Sequence, residues 1–404
     1  MPVFRGAGHA WMRLAVSLIL LTAGGSGMYA AIVSLQPIAA EFGLSRAAAS
    51  MPYFVTMIGF GLGGLVMGRL SDRIGVMKPA LIGGLSLGLG YIGAAYATSL
   101  WMFTLAHGVL IGFLGMSPFM APLVADISHW FKRRRGLAVG IVISGSYVAG
   151  TIWPPVIQHY VDTIGWRAAY SGLAAVCFVT VAACAPLLYR RHDGAASDGA
   201  AGDPVAGGRP LGMTRGRLQG FLCCAGVGCC VAMAMPQVHL IAYATDLGFT
   251  AARGAEMLSL MLACGVVSRL VSGLLSDRIG GLPTLLIGSG LQGLALVAFT
   301  FADTLTALYI VAACFGLSQG GIIPAYAIIV RTYFPPGEAG GRTGMVLMFS
   351  LFGMAAGGWM AGKIFDLTGS YDAAFINAIG FNILNMMITG GLLQRARLRQ
   401  SVSV

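Results

Sequence analysis

Apolar residues in this chain come in long blocks cut by charges, prolines and turn residues. The blocks lie near positions 11–36, 50–70, 79–97, 101–127, 136–158 and 167–189, and again near 217–243, 254–276, 283–301, 304–330, 343–365 and 373–393. Each approaches the roughly 20 residues that a helix rising about 1.5 Å per residue needs to cross a bilayer. Between the two sets, 191–216 is rich in Gly, Ala, Asp and Pro and holds no apolar run, so it cannot bury a core of its own. The pattern predicts an all-α membrane protein of twelve transmembrane helices. These form an N-terminal six-helix bundle over 1–190, a cytoplasmic linker over 191–216 and a C-terminal six-helix bundle over 217–404. The first block follows a basic start, as a secretory leader does, but its apolar run over 14–35 is too long for a leader core and reads as the first span.

The two sets echo one another. Leu70-Ser71-Asp72-Arg73-Ile74-Gly75 recurs half a chain later as Leu275-Ser276-Asp277-Arg278-Ile279-Gly280. Asp162, Gly165, Ala168, Ala169 and Tyr170 are matched by Asp366, Gly369, Ala373, Ala374 and Phe375 at nearly the same offset. Two echoes in register indicate duplication. With an even number of spans per copy the halves are parallel and related by a pseudo-two-fold axis along the membrane normal, an arrangement suited to alternating access.

Composition and charge agree. Hydrophobic residues make up 57% of the chain and charged residues 10%, against roughly 25% charged in soluble domains. Glycine fills 60 of 404 positions, as closely packed membrane helices require. Gly59-x-x-x-Gly63 and Gly64-x-x-x-Gly68 in the second block, with Gly136, Gly140 and Gly150 in the fifth, are candidate packing surfaces. The net charge of +11 does not indicate nucleic acid, because the basic residues sit between apolar runs rather than on one face. Only Arg46, Arg167, Arg253 and Lys363 fall on one side of the membrane. The other loop Lys and Arg, from Arg5 and Arg13 to Arg395, Arg397 and Arg399, fall on the opposite side, which the positive-inside bias makes cytoplasmic for both termini. The eight cysteines all lie in apolar blocks as small hydrophobes, so neither a disulfide framework nor a metal site is expected.

The stretch Gly68-Arg-Leu-Ser-Asp72-Arg73-Ile-Gly75, between the second and third spans, resembles the cytoplasmic-loop motif of the major facilitator superfamily, although Val76-Met77-Lys78 supplies one of its two usual basic residues. Within that superfamily the chain is similar to the monocarboxylate transporter family, including bacterial members and the related oxalate:formate antiporter. Trp130-Phe131-Lys-Arg-Arg-Arg135-Gly136-Leu-Ala138-Val-Gly140, Gly165-Trp166-Arg167, Val238-His239-Leu, Ala244-Thr-Asp246-Leu-Gly248, Gly320-Gly321-Ile-Ile-Pro324 and Phe365-Asp366-Leu-Thr-Gly369 carry the resemblance. The acidic-Gly-Trp opening of helix one in animal members is replaced by Gly8-His9-Ala10-Trp11, which points to a bacterial-type member.

Arg269 stands out as a cation deep in an apolar block, two helical turns before Asp277. An intramembrane charge is costly and functional by default, and a guanidinium matches a carboxylate bidentately. The resemblance places the family's substrate-binding arginine at this same position. It also places substrate-facing aromatics at Tyr326 and, as its counterpart, Tyr29, with Phe119 beside Pro118 completing the wall. His239 is a candidate substrate contact or proton carrier. Asp126 is the other protonatable candidate, set against pairing with Lys132, Arg133, Arg134 and Arg135. Gly68, Asp72, Arg73, Arg135, Asp277 and Arg278 are candidates for a conformational latch. The acidic partner and first-helix lysine of animal members are replaced by Gly265 and Ala30, and the eleventh block lacks the lysine with which the oxalate carrier holds a second carboxylate, so a singly charged anion is expected.

The resemblance implies a secondary active transporter of small monocarboxylates such as lactate or pyruvate, coupled to protons as a symporter. An organic-anion exchanger or exporter of the same fold is the alternative. No convergent His, Asp or Glu set within the spans indicates an enzyme. No cofactor and no metal are expected. The expected surroundings are a bacterial inner (plasma) membrane, protons and a small carboxylate, with the chain monomeric.

Overall fold

The computed structural model of the chain describes residues 3–131, 135–189 and 210–402. Lys132, Arg133 and Arg134 and the linker positions 191–209 lie outside the described residues. Among the described residues all regular structure is helical. Twelve long segments follow in order: α1 (Val3–Val33), α2 (Met51–Ile74), α3 (Met77–Ala95), α4 (Leu100–Trp130), α5 (Arg135–Ile164), α6 (Trp166–Leu188), α7 (Arg215–Asp246), α8 (Ala251–Ile279), α9 (Gly281–Phe299), α10 (Leu305–Tyr333), α11 (Pro336–Thr368) and α12 (Asp372–Val402). Eleven of them are long and apolar enough to cross a membrane. The remaining one, α3, holds Lys78, Pro79 and five glycines in its 19 residues, and it buries Ala80, Leu87, Tyr91 and Ala94 against its neighbours.

The chain divides into two compact units, Met1–Ser197 with Ile241–Ser259, and Asp198–Leu240 with Leu260–Val404. In the first unit α1 packs on α5, α2 on α4 and α3 on α6. In the second, α7 meets α11 where Gly353 lies against the Val227 carbonyl, α8 meets α10 at Gly316 and Gly320, and α9 packs on α12. The pairings match one for one, as a duplicated chain requires. The duplication reaches the backbone itself. Gly75 closes α2 at φ +82°, ψ 168°, and Gly280 precedes α9 at φ +86°, ψ 168°. This is a region essentially closed to residues with a Cβ.

Two helices are interrupted at corresponding places. α4 is α-helical over Leu100–Leu105, widens to a π-helix over Ala106–Met116, tightens to 3-10 over Ser117–Phe119 and resumes over Ala121–Trp130. α10 runs over Leu305–Gln319, breaks at Gly320 and Gly321 and resumes over Ile322–Tyr333 with Pro324 in its first turn. Gly- or Pro-interrupted segments in matching positions of two halves mark where a membrane carrier can expose backbone polar groups to a ligand.

The α2–α4 and α8–α10 crossings have almost no room. A Cβ at Gly63 would fall within 2.9 Å of the Phe113 carbonyl carbon, and one at Gly320 within 2.8 Å of both the Arg269 amide nitrogen and Ser268 Cβ. By contrast Gly64, Gly68, Gly136 and Gly140, expected from spacing to share in such packing, have no atom within 4 Å of that position. Spacing cannot say which side of a glycine-rich helix meets a neighbour. Gly320→Ala is therefore expected to overpack the crossing at a cost of about 1–3 kcal/mol, whereas Gly64→Ala is not. Thermal unfolding of the two purified variants checks the difference.

Candidate functional site

In the second unit Arg269 is 7% exposed in the middle of α8. Its Nε donates to the carbonyl of Gly320 at 3.3 Å. Pro324 makes this possible: it stands four positions on, where an N–H would otherwise take this carbonyl, and proline has none. Apolar segment, buried guanidinium and exposed backbone carbonyl thus meet at one point. One residue before Gly320, Gln319 accepts through Oε1 from Gln237 Nε2 of α7 at 2.7 Å, and both side chains are buried. Sequence reasoning passed over this pair, because neither glutamine is charged and 82 residues separate them.

Tyr326 is fully buried on the same helix as Gly320. Its hydroxyl donates to Asn385 Oδ1 at 3.1 Å and lies 3.6 Å from Cys229 Sγ, while Asn385 Nδ2 donates to Ser289 Oγ at 2.6 Å. The tyrosine is thus the head of a polar chain through α9 and α12. His239 sits on α7, fully buried. One ring nitrogen, Nε2, is 2.8 Å from the Gly358 carbonyl and the other, Nδ1, is 3.0 Å from the Tyr371 hydroxyl. A carbonyl only accepts, so Nε2 donates to it, while Nδ1 shares a hydrogen bond with the Tyr371 hydroxyl, and the ring bridges α7, α11 and the turn before α12.

In the first unit the Tyr29 hydroxyl donates to the Ser146 carbonyl at 3.2 Å, joining α1 to α5. Phe119 is fully buried, with its ring tip 3.0 Å from where a Gly83 Cβ would stand. Asp126 accepts two bonds from Arg13 Nη2, at 2.8 and 2.7 Å, and one from Nε at 3.1 Å. Arg13 is 0% exposed, Asp126 12% exposed, and the guanidinium carbon is 4.7 Å from the Trp130 ring centre. Arg269 is therefore not the lone buried cation that the block pattern suggested: Arg13, counted there among loop charges, is inside the bundle. Arg13 brings its own carboxylate, so it adds no net charge. His107, unremarked in the sequence, is also fully buried, its Nε2 3.0 Å from the Tyr170 hydroxyl and its Nδ1 3.3 Å from Thr56 Oγ1, within the π-helical part of α4.

The loop residues group differently. Asp72, Arg73, Asp277 and Arg278 are exposed at the ends of α2 and α8, and the Gly68 Cβ position is open. Arg135 opens α5. The Gly165-Trp166-Arg167 motif has a visible role. Trp166 Nε1 donates to Glu41 Oε2 at 2.6 Å, and Arg167 pairs with Glu41 and donates to the Ala95 and Ala97 carbonyls at 2.6 and 3.0 Å, closing the C-terminal end of α3. Segment Ile241–Ser259 packs with this unit: Arg46 pairs with Asp246 at 2.7 Å, Gln36 donates to Thr245, and Ser259 donates to the Thr151 carbonyl at 2.5 Å.

Two sets of six helices with the same internal pairings define a duplicated polytopic membrane protein. The sequence pattern of the Major Facilitator Superfamily matches residues 15–265 and again 220–402. Monocarboxylate transporter 13 of Rattus norvegicus is 30% identical over 317 residues, covering 77% of this chain and 72% of that one. The MFS-type transporter pynF of Aspergillus niger is 26% identical over 322 residues, covering 79% and 72%. The crystal structure of a bacterial homologue of the human lysosomal transporter Spinster shares the fold, with a TM-score of 0.71 at 14% identity over 96% of this chain and 97% of that one. The chain belongs to the major facilitator superfamily and, within it, to the monocarboxylate transporter family.

Proposed function

We propose that this protein is a secondary active transporter of small monocarboxylates of the lactate and pyruvate type, a proton symporter working by alternating access between its N-terminal (1–190) and C-terminal (217–404) bundles. Arg269 carries the reading: a guanidinium buried in an apolar helix is retained at a cost unless it serves a ligand or pathway, and its planar fork suits one carboxylate. Tyr326, Tyr29, Phe119 and His239 shape the substrate's surroundings. The proton's place is Asp126, which Arg13 holds in an ion pair, rather than His239, whose two nitrogens are both engaged. Gly68, Asp72, Arg73, Arg135, Asp277 and Arg278 act as the loop latch. The protein works as a monomer in a bacterial inner membrane with both termini cytoplasmic, in keeping with the bias of loop Lys and Arg.

The test is uptake of labelled lactate, pyruvate and oxalate into liposomes holding the purified protein, with and without an inward acid gradient. Gradient-driven accumulation of the two monocarboxylates is the expected result. Uptake that requires an internal counter-anion would make the protein an exchanger, and failure to move any carboxylate would overturn the substrate class.

A further inference from the structure

We infer that the buried amide pair Gln237–Gln319 is a second recognition point, which accepts an oxygen on the carbon next to the substrate's carboxylate and so selects 2-oxo and 2-hydroxy acids over unsubstituted acids of equal length. The inference rests on the monocarboxylate reading and deepens it.

The geometry is local to the break in α10. Gln319 is the last residue of the first half of that helix, and Gly320, next in the chain, gives its carbonyl to Arg269. Adjacent α-carbons are about 3.8 Å apart, so the Gln319 side chain and the carbonyl that Arg269 binds come from neighbouring residues of α10, and the guanidinium reaches that carbonyl from α8. Gln319 is 0% exposed and Gln237 4%. One hydrogen bond joins them, from Gln237 Nε2 to Gln319 Oε1, and the Gln319 Nε2 group, a donor of two hydrogens, has no partner among the described residues. Turning both amides over would move the spare donor to Gln237 and leave it between the same two helices, so the presence of an unspent donor does not depend on the amide assignment.

A buried donor without an acceptor is costly, and a glutamine pair is a poor way merely to pack two apolar helices, since Leu or Met would fill the same space without that cost. The chemistry that removes the cost is an acceptor oxygen arriving with the ligand. The carboxylate itself is matched by the guanidinium. A keto or hydroxyl oxygen on the adjacent carbon lies two bonds away from the carboxylate carbon, and both oxygen types accept from an amide N–H. A site built around such a donor discriminates against the analogue that lacks the acceptor, because the donor then stays unpaired.

Uptake of pyruvate, lactate and propionate, three acids of the same carbon count, is measured in liposomes with the full chain and with Gln319→Leu. The wild type is expected to favour pyruvate and lactate over propionate, and Gln319→Leu to lose about tenfold of that preference while propionate uptake stays within about twofold. An unchanged preference would overturn the inference and leave the amides to hold a water or pack the helices. An equal fall for all three acids, reproduced in the volume-matched Gln319→Met, would overturn it in favour of a structural role. Wild-type propionate uptake reads the monocarboxylate assignment separately: if none of the three acids moves, that assignment fails, whereas movement without preference sinks only the role of the amides.

Discussion

Arg269→Gln is expected to lower monocarboxylate uptake by about a hundredfold, because removing one member of a buried, hydrogen-bonded charge pair with a ligand costs about 2–5 kcal/mol. The same change removes a cation from an apolar helix, so the variant should melt no lower than the parent and reach the membrane in equal amounts. That combination separates a substrate contact from a structural one. Arg269→Lys should recover little, because an ammonium is a point charge without the planar fork and its shorter reach does not span from α8 to the α10 carbonyl and the ligand together. Uptake unchanged in Arg269→Gln at normal abundance would remove the arginine from the transport site.

Asp126→Asn is expected to abolish accumulation driven by an acid gradient while leaving equilibrium exchange of labelled for unlabelled lactate. Asparagine keeps the shape of the carboxyl but neither binds nor releases a proton. It also leaves the guanidinium of Arg13, 0% exposed, facing a neutral amide. Leaving a buried charge uncompensated costs about 3–5 kcal/mol, whereas replacing both members by apolar residues is often neutral. The single variant should therefore melt lower than the parent, and Arg13→Met combined with Asp126→Leu should melt normally yet remain uncoupled. Gradient-driven uptake by either variant would place the proton elsewhere, with His107 and His239 next to be changed.

The fold was legible because the bilayer imposes one length on every crossing segment. The apolar blocks coincide with α1 through α12 to within a few residues at most ends, and even the weakly apolar α3 was visible from its position between two turns. The repeat was legible because its glycine is forced by backbone geometry. The interior of α4 was not. Its π-helical stretch holds Gly108 and Gly112 against α2, where a Cβ at Gly112 would stand 2.6 Å from the Thr56 carbonyl oxygen, and no local propensity encodes that fit.

Among site residues Arg269 could be found by charge alone, since the other charge in its block, Glu256, stands in the first turn beside Arg253. Arg13 escaped because it lies near the start of a block, where a basic residue reads as a loop charge, and its partner is 113 positions away. Asp126 was noticed but assigned to the basic cluster nearest in sequence, a cluster whose positions 132–134 lie outside the described residues. Gln237 and Gln319 left no trace in charge or period. Their meaning comes only from a donor that burial deprives of water.

The matched turns at Gly75 and Gly280 bear on how such a chain can change over generations. Asp72, Arg73, Asp277 and Arg278, which precede each turn's Ile-Gly step, are exposed, and exposed side chains can be exchanged without rebuilding the backbone. A backbone at φ +82° or +86° with ψ near 168° leaves no such route, because the barrier lies in the residue's own Cβ and no neighbour can relieve it. Of everything the ancestral duplication wrote twice into this sequence, those two glycines are the letters least free to drift, and a descendant that had lost every other trace of the copy would still have to spell them.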